Sequence, residues 1–408
     1  MYGGPGGIVT ADKLSASGKS VLLIEREPPS SFRWGGSFTG TYGKIALASN
    51  VRMLFPWQAV FSAVDLLSTW AFDSSLQSLD WDTQFSDGWK AKNLSAVTSR
   101  AFRRVPWTDV PCKDGVLHNR QTRDLMMKGL VENGWNSVKA NDEPDAKRRT
   151  VSQSEYFYQH GERGGLLETH LVSVAARGNV KLWTNTLVTR VERRGDSVSG
   201  VQVESAGEGG YDGTIKLAVG DRVIFSAGVF GSAKILFRSG IGPKDQLETA
   251  QKTEGDVFID STQWIDLPVG HNLDDHTNIL FEHPGIANYD FNSTYDNPSP
   301  DDAAAYLYTS GMAAALGLGK TSRGRATINS SLIMNVSVFS YFNGEGNLDF
   351  ETVVTTVSRV IKAIPSIPGA TMINPAPSQD VRDYVQKVSQ SYFSLGSRYE
   401  SKYAEHIV

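Results

Sequence analysis

Cysteine is almost absent from the sequence: Cys112 stands alone. No internal disulfide can form, and no cysteine-built zinc or iron–sulfur site is possible. Long apolar runs are missing too. The best candidate, residues 59–72, carries Asp65 and falls short of the ~18–20 residues that a membrane helix needs, which excludes a helical span. Neither charge sign dominates, with 40 Lys and Arg against 44 Asp and Glu and a net charge of −4. That balance argues against a general nucleic-acid binder. The short basic clusters Arg103-Arg104, Lys147-Arg148-Arg149 and Arg193-Arg194 lie far apart and read as solvated faces. There is no G-x-S-x-G turn, and the seven histidines show no partner pattern for a nucleophilic hydrolase.

What the sequence does hold is material for two or three domains around a large core, with 408 residues and 40% hydrophobic and 10% aromatic content. Met1 is followed directly by a glycine cluster, so the opening does not have the pattern of a signal peptide. Sequons at Asn93, Asn292, Asn329 and Asn335 matter only in a secretory compartment.

The first thirty residues carry the strongest local pattern. Tyr2-Gly3-Gly4-Pro5-Gly6-Gly7 precedes a helix predicted over 8–17, and Ser-Val-Leu-Leu-Ile-Glu at 20–25 reads as a buried parallel strand ending in an acid. Glycines at 4, 6 and 7 let the backbone approach a pyrophosphate, which sits on the helix N-terminus where unpaired N–H groups and the dipole favour negative charge. Glu25 stands where a ribose diol is held, close to the usual offset of about 20 residues from the glycines. Gly4 and Gly7 fill the second and third positions of G-x-G-x-x-G, while Tyr2 falls on the first and no strand precedes the motif. The pattern is that of a nucleotide site without its first strand; the other reading of the glycines is a flexible terminus ahead of a helix.

Further along, residues 180–184 and 187–191 read as strands, and 198–204 alternates after a turn at Arg194-Gly195-Asp196. Residues 222–226 form another buried apolar run. It is closed by Ala227-Gly228 and followed by a short helix over 232–239 and the turn Ser239-Gly240-Ile241-Gly242-Pro243. Strand, meander, strand and glycine turn is the layout of a flavoprotein nucleotide domain rather than of a simple nicotinamide dehydrogenase.

These segments resemble the glucose–methanol–choline (GMC) oxidoreductase family, and within it the flavin domain of fungal cellobiose dehydrogenases. The resemblance rests on Gly4-Pro5-Gly6-Gly7-Ile8 with Leu22-Leu23-Ile24-Glu25-Arg26, on Phe32-Arg33-Trp34-Gly35-Gly36, and on His160-Gly161-Glu162-Arg163-Gly164-Gly165. It continues through Ser226-Ala227-Gly228-Val229-Phe230-Gly231-Ser232 and Val269-Gly270-His271-Asn272-Leu273-Asp274-Asp275-His276 to Thr321-Ser322-Arg323-Gly324-Arg325. It implies an α/β fold: a doubly wound FAD/NAD(P)-binding domain from residues 1–92 and 156–285, and an α+β substrate-binding domain, incomplete, from 93–155 and 286–408. It implies FAD as cofactor and Gly4, Gly6, Gly7, Glu25, Val188 (through its backbone, at adenine), Ala227, Gly228, Asn272 and Asp275 as its contacts.

The chemistry implied is oxidation of a CH–OH group, in this subfamily the anomeric hydroxyl of a cellobiose-like disaccharide. A base removes the hydroxyl proton while hydride passes to the flavin, and a lactone forms. The family's base lies in an Asn-His-Trp segment near the chain end, where His406 is the single match. The implied partners are a small sugar and an electron acceptor, with no nucleic acid, membrane or haem domain, and the implied location is extracellular.

Several family features are not found in the sequence. They are the strand before the glycines, a glycine-rich cover segment ahead of Trp81-Asp82 (residues 43–80 read instead as an amphipathic helix-like stretch), part of the pocket lining between Met312 and Gly319, and the terminal motif beyond Val408. A truncated chain is therefore expected. Two readings stand beside the sugar dehydrogenase: a non-catalytic remnant with weak or no flavin binding, and another GMC alcohol or sugar dehydrogenase or oxidase. His271, His276 and His283 with Asp274 and Asp275 do not share a helical face, so no metal site is expected. Arg323 and Arg325 read as surface residues and most of the nine tryptophans as core.

Overall fold

The computed structural model describes residues 4–27, 77–110, 120–146, 148–152, 158–159, 162–163, 165–274, 278–281, 312–315, 321–368, 375–376 and 378–391. Asp275, His276, His283, His406, residues 301–307 and most of 43–80 lie outside the described residues. The fold is α/β. Among the described residues no helix is long and apolar enough to cross a membrane.

Helix α1, Pro5–Ala16, begins with proline, whose missing N–H is no loss in a first turn. Its buried residues Ile8, Ala11, Asp12 and Ser15 recur at helical spacing. It stops at Ser17 and Gly18: Lys19 N–H donates to Leu14 O (3.1 Å), and Gly18, at φ 84°, takes the left-handed conformation that closes the turn. Strand β1, Val21–Ile24, follows and pairs in parallel with β2, Val180–Trp183, in the register Val21↔Val180 to Ile24↔Trp183. Val21 and Leu23 face Ala11 of α1 and Val174, while Leu22 and Ile24 face the opposite layer.

That opposite layer is an antiparallel meander of β3 (Thr186–Arg194), β4 (Ser197–Ser205) and β5 (Gly213–Lys216). The two strands expected at 180–184 and 187–191 are divided by Asn185, whose φ of 51° turns the chain from one sheet to the next. Val188, Val191, Val201 and Val203 point inward with Ile24 and Ile235.

The run at 222–226, predicted as a buried strand, is half-buried beyond the exposed Arg222 and belongs to no ladder among the described residues. Its hydrophobicity is used, since Val223 and Phe225 pack against the meander cluster. A strand also needs a hydrogen-bonded neighbour, and none lies beside it among the described residues. Helix α2, Gly228–Arg238, starts four residues ahead of the predicted helix and buries Ala233, Ile235, Leu236 and Phe237; α3, Lys244–Glu254, follows it.

A second core gathers around α4, Leu348–Ala363, whose Phe350, Val353, Val357 and Val360 meet Ile364, Ile367, Tyr384 and Val385. Leu125 and Trp135 pack on the same cluster. Trp183 and Trp264 also pack against buried clusters, whereas Trp89 is 48% exposed and is not a core residue.

Leu23 is fully buried at the centre of β1, and Leu79 is 68% exposed. We expect Leu23→Ala to lower the unfolding free energy by about 2–5 kcal/mol and Leu79→Ala to change it by less than about 0.5 kcal/mol, read from urea unfolding midpoints.

Candidate cofactor-binding site

Two helix N-termini meet at Ser226. The first turn of α1 has no side-chain cap, so the N–H groups of Gly6 and Gly7 have no intrahelical acceptor and remain open to an anion. A Cβ placed on Gly4 would sit 3.8 Å from Ser226 O, and one on Gly6 would sit 3.7 Å from Ser226 Oγ. Both are ordinary contacts, and neither glycine has a positive φ. Among the described residues nothing therefore demands glycine at 4 or 6. The demand that fits is a close approach from outside, which a pyrophosphate would make. Gly228, at the start of α2, has φ 71° and open space where its Cβ would point, and Ala227 N–H donates to Ser232 Oγ (3.1 Å). Gly4, Gly6, Ala227 and Gly228 are thus brought together, while Gly7 is buried beside them.

Glu25 leaves the carboxyl end of β1. Its N–H donates to Trp183 O (2.7 Å), its carbonyl accepts from Thr186 N–H (3.0 Å), and its carboxylate accepts from Glu27 N–H (2.9 Å). The side chain is thereby fixed where strands and ligands meet in doubly wound folds. Val188 is 9% exposed and faces the apolar cluster, so only its backbone, on the outer strand of the meander, is available to a ligand.

Asn272 sits on the return loop at 264–274 with φ 55°. The loop is pinned on both sides of it. Ala326 N–H donates to Gly270 O (2.8 Å), and Leu273 and Gly324 exchange both backbone bonds (2.9 and 2.7 Å). Gly270 is required: a Cβ there would meet Ala326 O at 2.3 Å, and its φ is 81°. The ring of Phe237, near the end of α2, lies 3.2 Å from that position, so α2 supports both the Gly228 turn and the Asn272 loop. Among the described residues no backbone hydrogen bond joins Asn272 to the glycines of α1.

The residues that fix α1 were not singled out in the sequence. Asp12 is 1% exposed and lies between Arg104 Nη1 (2.6 Å) and Arg177 Nη1 (2.7 Å). Arg177 also donates to Ser15 Oγ (2.9 Å), and Asn179 Nδ2 donates to Ser15 O (3.0 Å). Burial alone would raise the pKa of Asp12, but the two guanidinium partners outweigh it and hold the carboxyl below its ordinary value. Burial and the charge of Arg104 push neighbouring His170 below its ordinary value, with Asp12 opposing. The signal for Asp12 was present, since an acid occupies the buried face of a helix.

Two clusters expected on solvated faces are corrected here. Arg104 is half-buried against Asp12, and Arg193 is 9% exposed. Arg193 donates to Ser239 O (3.0 Å), Gly195 O (2.9 Å), Gly240 O (3.3 Å) and Gln263 O (2.9 Å). Its fork ties the tip of the first hairpin to the turn at Gly240. Arg323 and Arg325, expected at the surface, are half-buried; Arg325 Nη2 lies 2.6 Å from Asp245 and Arg323 Nη2 3.8 Å from Asp274. Lys234, on α2, is a further residue the sequence did not flag. Burial, then Arg238 and Arg26, push its ammonium below the usual lysine value, while Glu254 and Glu204 oppose.

Opposed glycine turns at two helix N-termini, with an acid ending the intervening strand, define a dinucleotide-binding α/β protein of the flavoprotein type. The GMC oxidoreductase family profile matches residues 70–278, about half of the sequence, and the chain belongs to that family. The chain is 28% identical over 320 residues to an oxygen-dependent choline dehydrogenase of Vibrio vulnificus (strain YJ016), covering 69% of this chain and 52% of that protein. It is 30% identical over 244 residues to pyranose dehydrogenase 3 of Leucoagaricus meleagris, covering 58% and 38%. It spans about half or less of the length of these curated relatives. Among solved structures it is similar to pyridoxine 4-oxidase from Mesorbium loti, with a TM-score of 0.62, 16% identity and coverage of 98% of this chain and 86% of that one. A fungal aryl-alcohol oxidase gives 0.61, 16%, 97% and 87%. At such identities the likeness shows the fold. The family indicates FAD as the cofactor.

Replacing Asp12 by alanine leaves two guanidinium groups facing a buried gap. A loss of about 3 kcal/mol is expected, at the low end for a broken buried pair because both arginines are partly exposed. A lowered histidine pKa contributes stability that is present above its unfolded value of 6.5 and is lost as pH falls below it. Asp12 adds a second loss as pH falls below 3.8. Unfolding midpoints measured against pH should show both steps, and His170→Gln should reduce the upper one, to which His271, also pushed below its ordinary value by burial, contributes the rest.

Proposed function

We propose that this protein is an FAD-dependent GMC oxidoreductase that oxidises CH–OH groups, with a sugar as substrate. The observation that carries the reading is the pair Gly4 and Gly6: among the described residues neither conformation nor packing requires glycine there, and both line an uncapped helix N-terminus beside Ser226. In the proposed site Gly4, Gly6 and Gly7 hold the pyrophosphate, Glu25 accepts from the ribose hydroxyls, and the Val188 backbone meets adenine. Ala227, Gly228, Asn272 and Asp275 complete the cofactor contacts, and His406 is the proton-accepting base. FAD, when bound, supplies the hydride acceptor. Residues 1–92 with 156–285 make the cofactor domain, and 93–155 with 286–408 the substrate domain.

The choice of a sugar is supported by the pyranose dehydrogenases among the relatives, and that of a cellobiose-like disaccharide, oxidised to its lactone, by the motif resemblance. Choline and aryl-alcohol enzymes in the same comparisons make other alcohols the natural competitors. An extracellular setting goes with this reading, and Asn93 and Asn335, both exposed within sequons, would carry glycans there. A second reading, a remnant that holds flavin weakly without turnover, is favoured by one observation: the segment at 222–226 forms no ladder among the described residues.

The test is the visible spectrum of the protein after FAD addition and desalting, before and after anaerobic cellobiose. Retained flavin absorbance that bleaches with cellobiose supports the sugar dehydrogenase. Bleaching with choline or an aryl alcohol instead moves the substrate class, and retained flavin without bleaching supports the remnant. We further expect Gly6→Val to weaken FAD binding by tenfold or more, because its side chain would occupy the approach path. Glu25→Gln should weaken it by about 10–100-fold, the worth of a hydrogen bond to a charged acceptor. Both are read by flavin fluorescence titration, and the fold of each variant is checked by circular dichroism.

A further inference from the structure

The chain as a whole is slightly acidic, yet one face of it gathers cations. The helix Ala91–Arg104 holds Lys92, Arg100, Arg103 and Arg104, no acid, and no buried residue. Arg104 attaches it: its guanidinium reaches Asp12 of α1 (2.6 Å) and donates to Ser173 Oγ (3.2 Å). These bonds bring the last turn of that helix against the carboxyl-terminal half of α1, where Lys13 is exposed. Arg177 closes on the same carboxylate from a third segment (2.7 Å). Asn179 Nδ2 donates to Ser15 O (3.0 Å) and Lys19 O (2.8 Å), which holds the turn carrying exposed Lys19 beside Arg177.

Asp12 is engaged by Arg104 and Arg177, and the side chains of Lys13, Lys19, Arg100 and Arg103 make no ion pair among the described residues. Cations near the carboxyl end of a helix complement its dipole, but each such end carries only about half a negative charge. Set against Asp12, two helix ends and the exposed Glu168 on the adjoining turn Leu167–Leu171, these six cations leave a surplus of about three positive charges. The face lies at the opposite end of α1 from Gly4 and Gly6, about 18 Å away along its twelve residues, and is no part of the cofactor cradle. Aliphatic groups stand between the charges. Val97, on the side of its helix where Ala101 and Arg104 recur one and two turns later, is exposed, as is Val172 beside Ser173. Exposed aromatic rings, on which bases stack, are missing from this face among the described residues; Trp89 lies beyond the far end of the helix.

We infer that this face is a docking surface for an acidic polypeptide segment of a partner protein, with aliphatic side chains between its carboxylates. Charge complementarity steers the approach and fixes the register. The two valines set such a segment apart from a bare polyanion, because covering them removes apolar surface from water. Since the cations are exposed, the contact weakens as salt rises. This inference does not depend on the flavin reading.

Fluorescence anisotropy of a labelled peptide of Glu-Glu-Val-Asp-Leu repeats, titrated with the full chain, tests it. The protein is used without glycans, because Asn93 stands two turns ahead of Arg100 on the same helix face. At about 0.01 M salt, where the Debye length is about 30 Å, the peptide should bind, and Arg100→Glu with Arg103→Glu should weaken binding at least tenfold. Arg194→Glu with Lys216→Glu, exposed on the meander, makes the same change in net charge and should alter the affinity by less than about twofold. Val97→Ser with Val172→Ser should weaken the peptide about threefold or more and leave polyglutamate binding unchanged. Circular dichroism checks the fold of each variant. Failure of the peptide to bind at low salt would overturn the proposal, as would equal losses in the two charge-reversed pairs or indifference to the valine substitutions. Tighter binding of phosphatidylserine vesicles or of polyuridylate would overturn it in favour of a membrane or RNA. So would a dimer on gel filtration that the change at 100 and 103 dissolves, which would make a second copy the occupant.

Discussion

A single buried carboxylate sets the frame of this molecule. Asp12 occupies the inner face of α1, where a hydrophobic residue would ordinarily stand, and two arginines from distant segments converge on it. Arg177 comes from just ahead of β2, and Arg104 from the last turn of the helix Ala91–Arg104, so one side chain ties three elements together. Such a triad is weak grounds for stability in itself, since desolvation offsets much of the attraction. What it fixes is orientation. α1 cannot rotate without stranding charge, and the direction of α1 decides where its open N–H groups point.

From that constraint the cofactor cradle follows. The amino end of α1 has no side-chain cap, and the chain entering α2 approaches it through Ser226, two residues ahead of Gly228. Residues that look like surface charge serve the same positioning: Arg193 gathers four carbonyls from three loops and holds the Gly240 turn, from which the chain departs towards Asn272. Placement is thus set largely by charged groups in the interior, and the aliphatic clusters fill the space between them.

Local patterns were legible in the sequence wherever a short stretch decides its own conformation. The glycine-led helix, the apolar strand ending at Glu25 and the alternating meander all came through, because helical and strand periodicities are local properties. The apolar run at 222–226 shows the limit. Its hydrophobicity packs it against the core, half-buried rather than buried, but whether it forms a strand depends on a neighbour that the run itself does not specify. Arg104 and Arg193 were misread for a related reason: a basic pair looks solvated until its partner, far away in sequence, is known. Asn185 and Asn272, both at positive φ, could have been read as turn formers, since asparagine tolerates that conformation better than most residues.

The return loop has a mechanical consequence. Three backbone hydrogen bonds join 270–273 to 324–326, and Gly270 lies flat against the carbonyl of Ala326. Such a segment cannot open like a flap on two hinges, because the bonds must break together and leave paired groups exposed. It is a wall, continuous with the hairpin formed by Arg325–Ile328 and Met334–Val338. Any breathing there would have to move hairpin and wall as one slab.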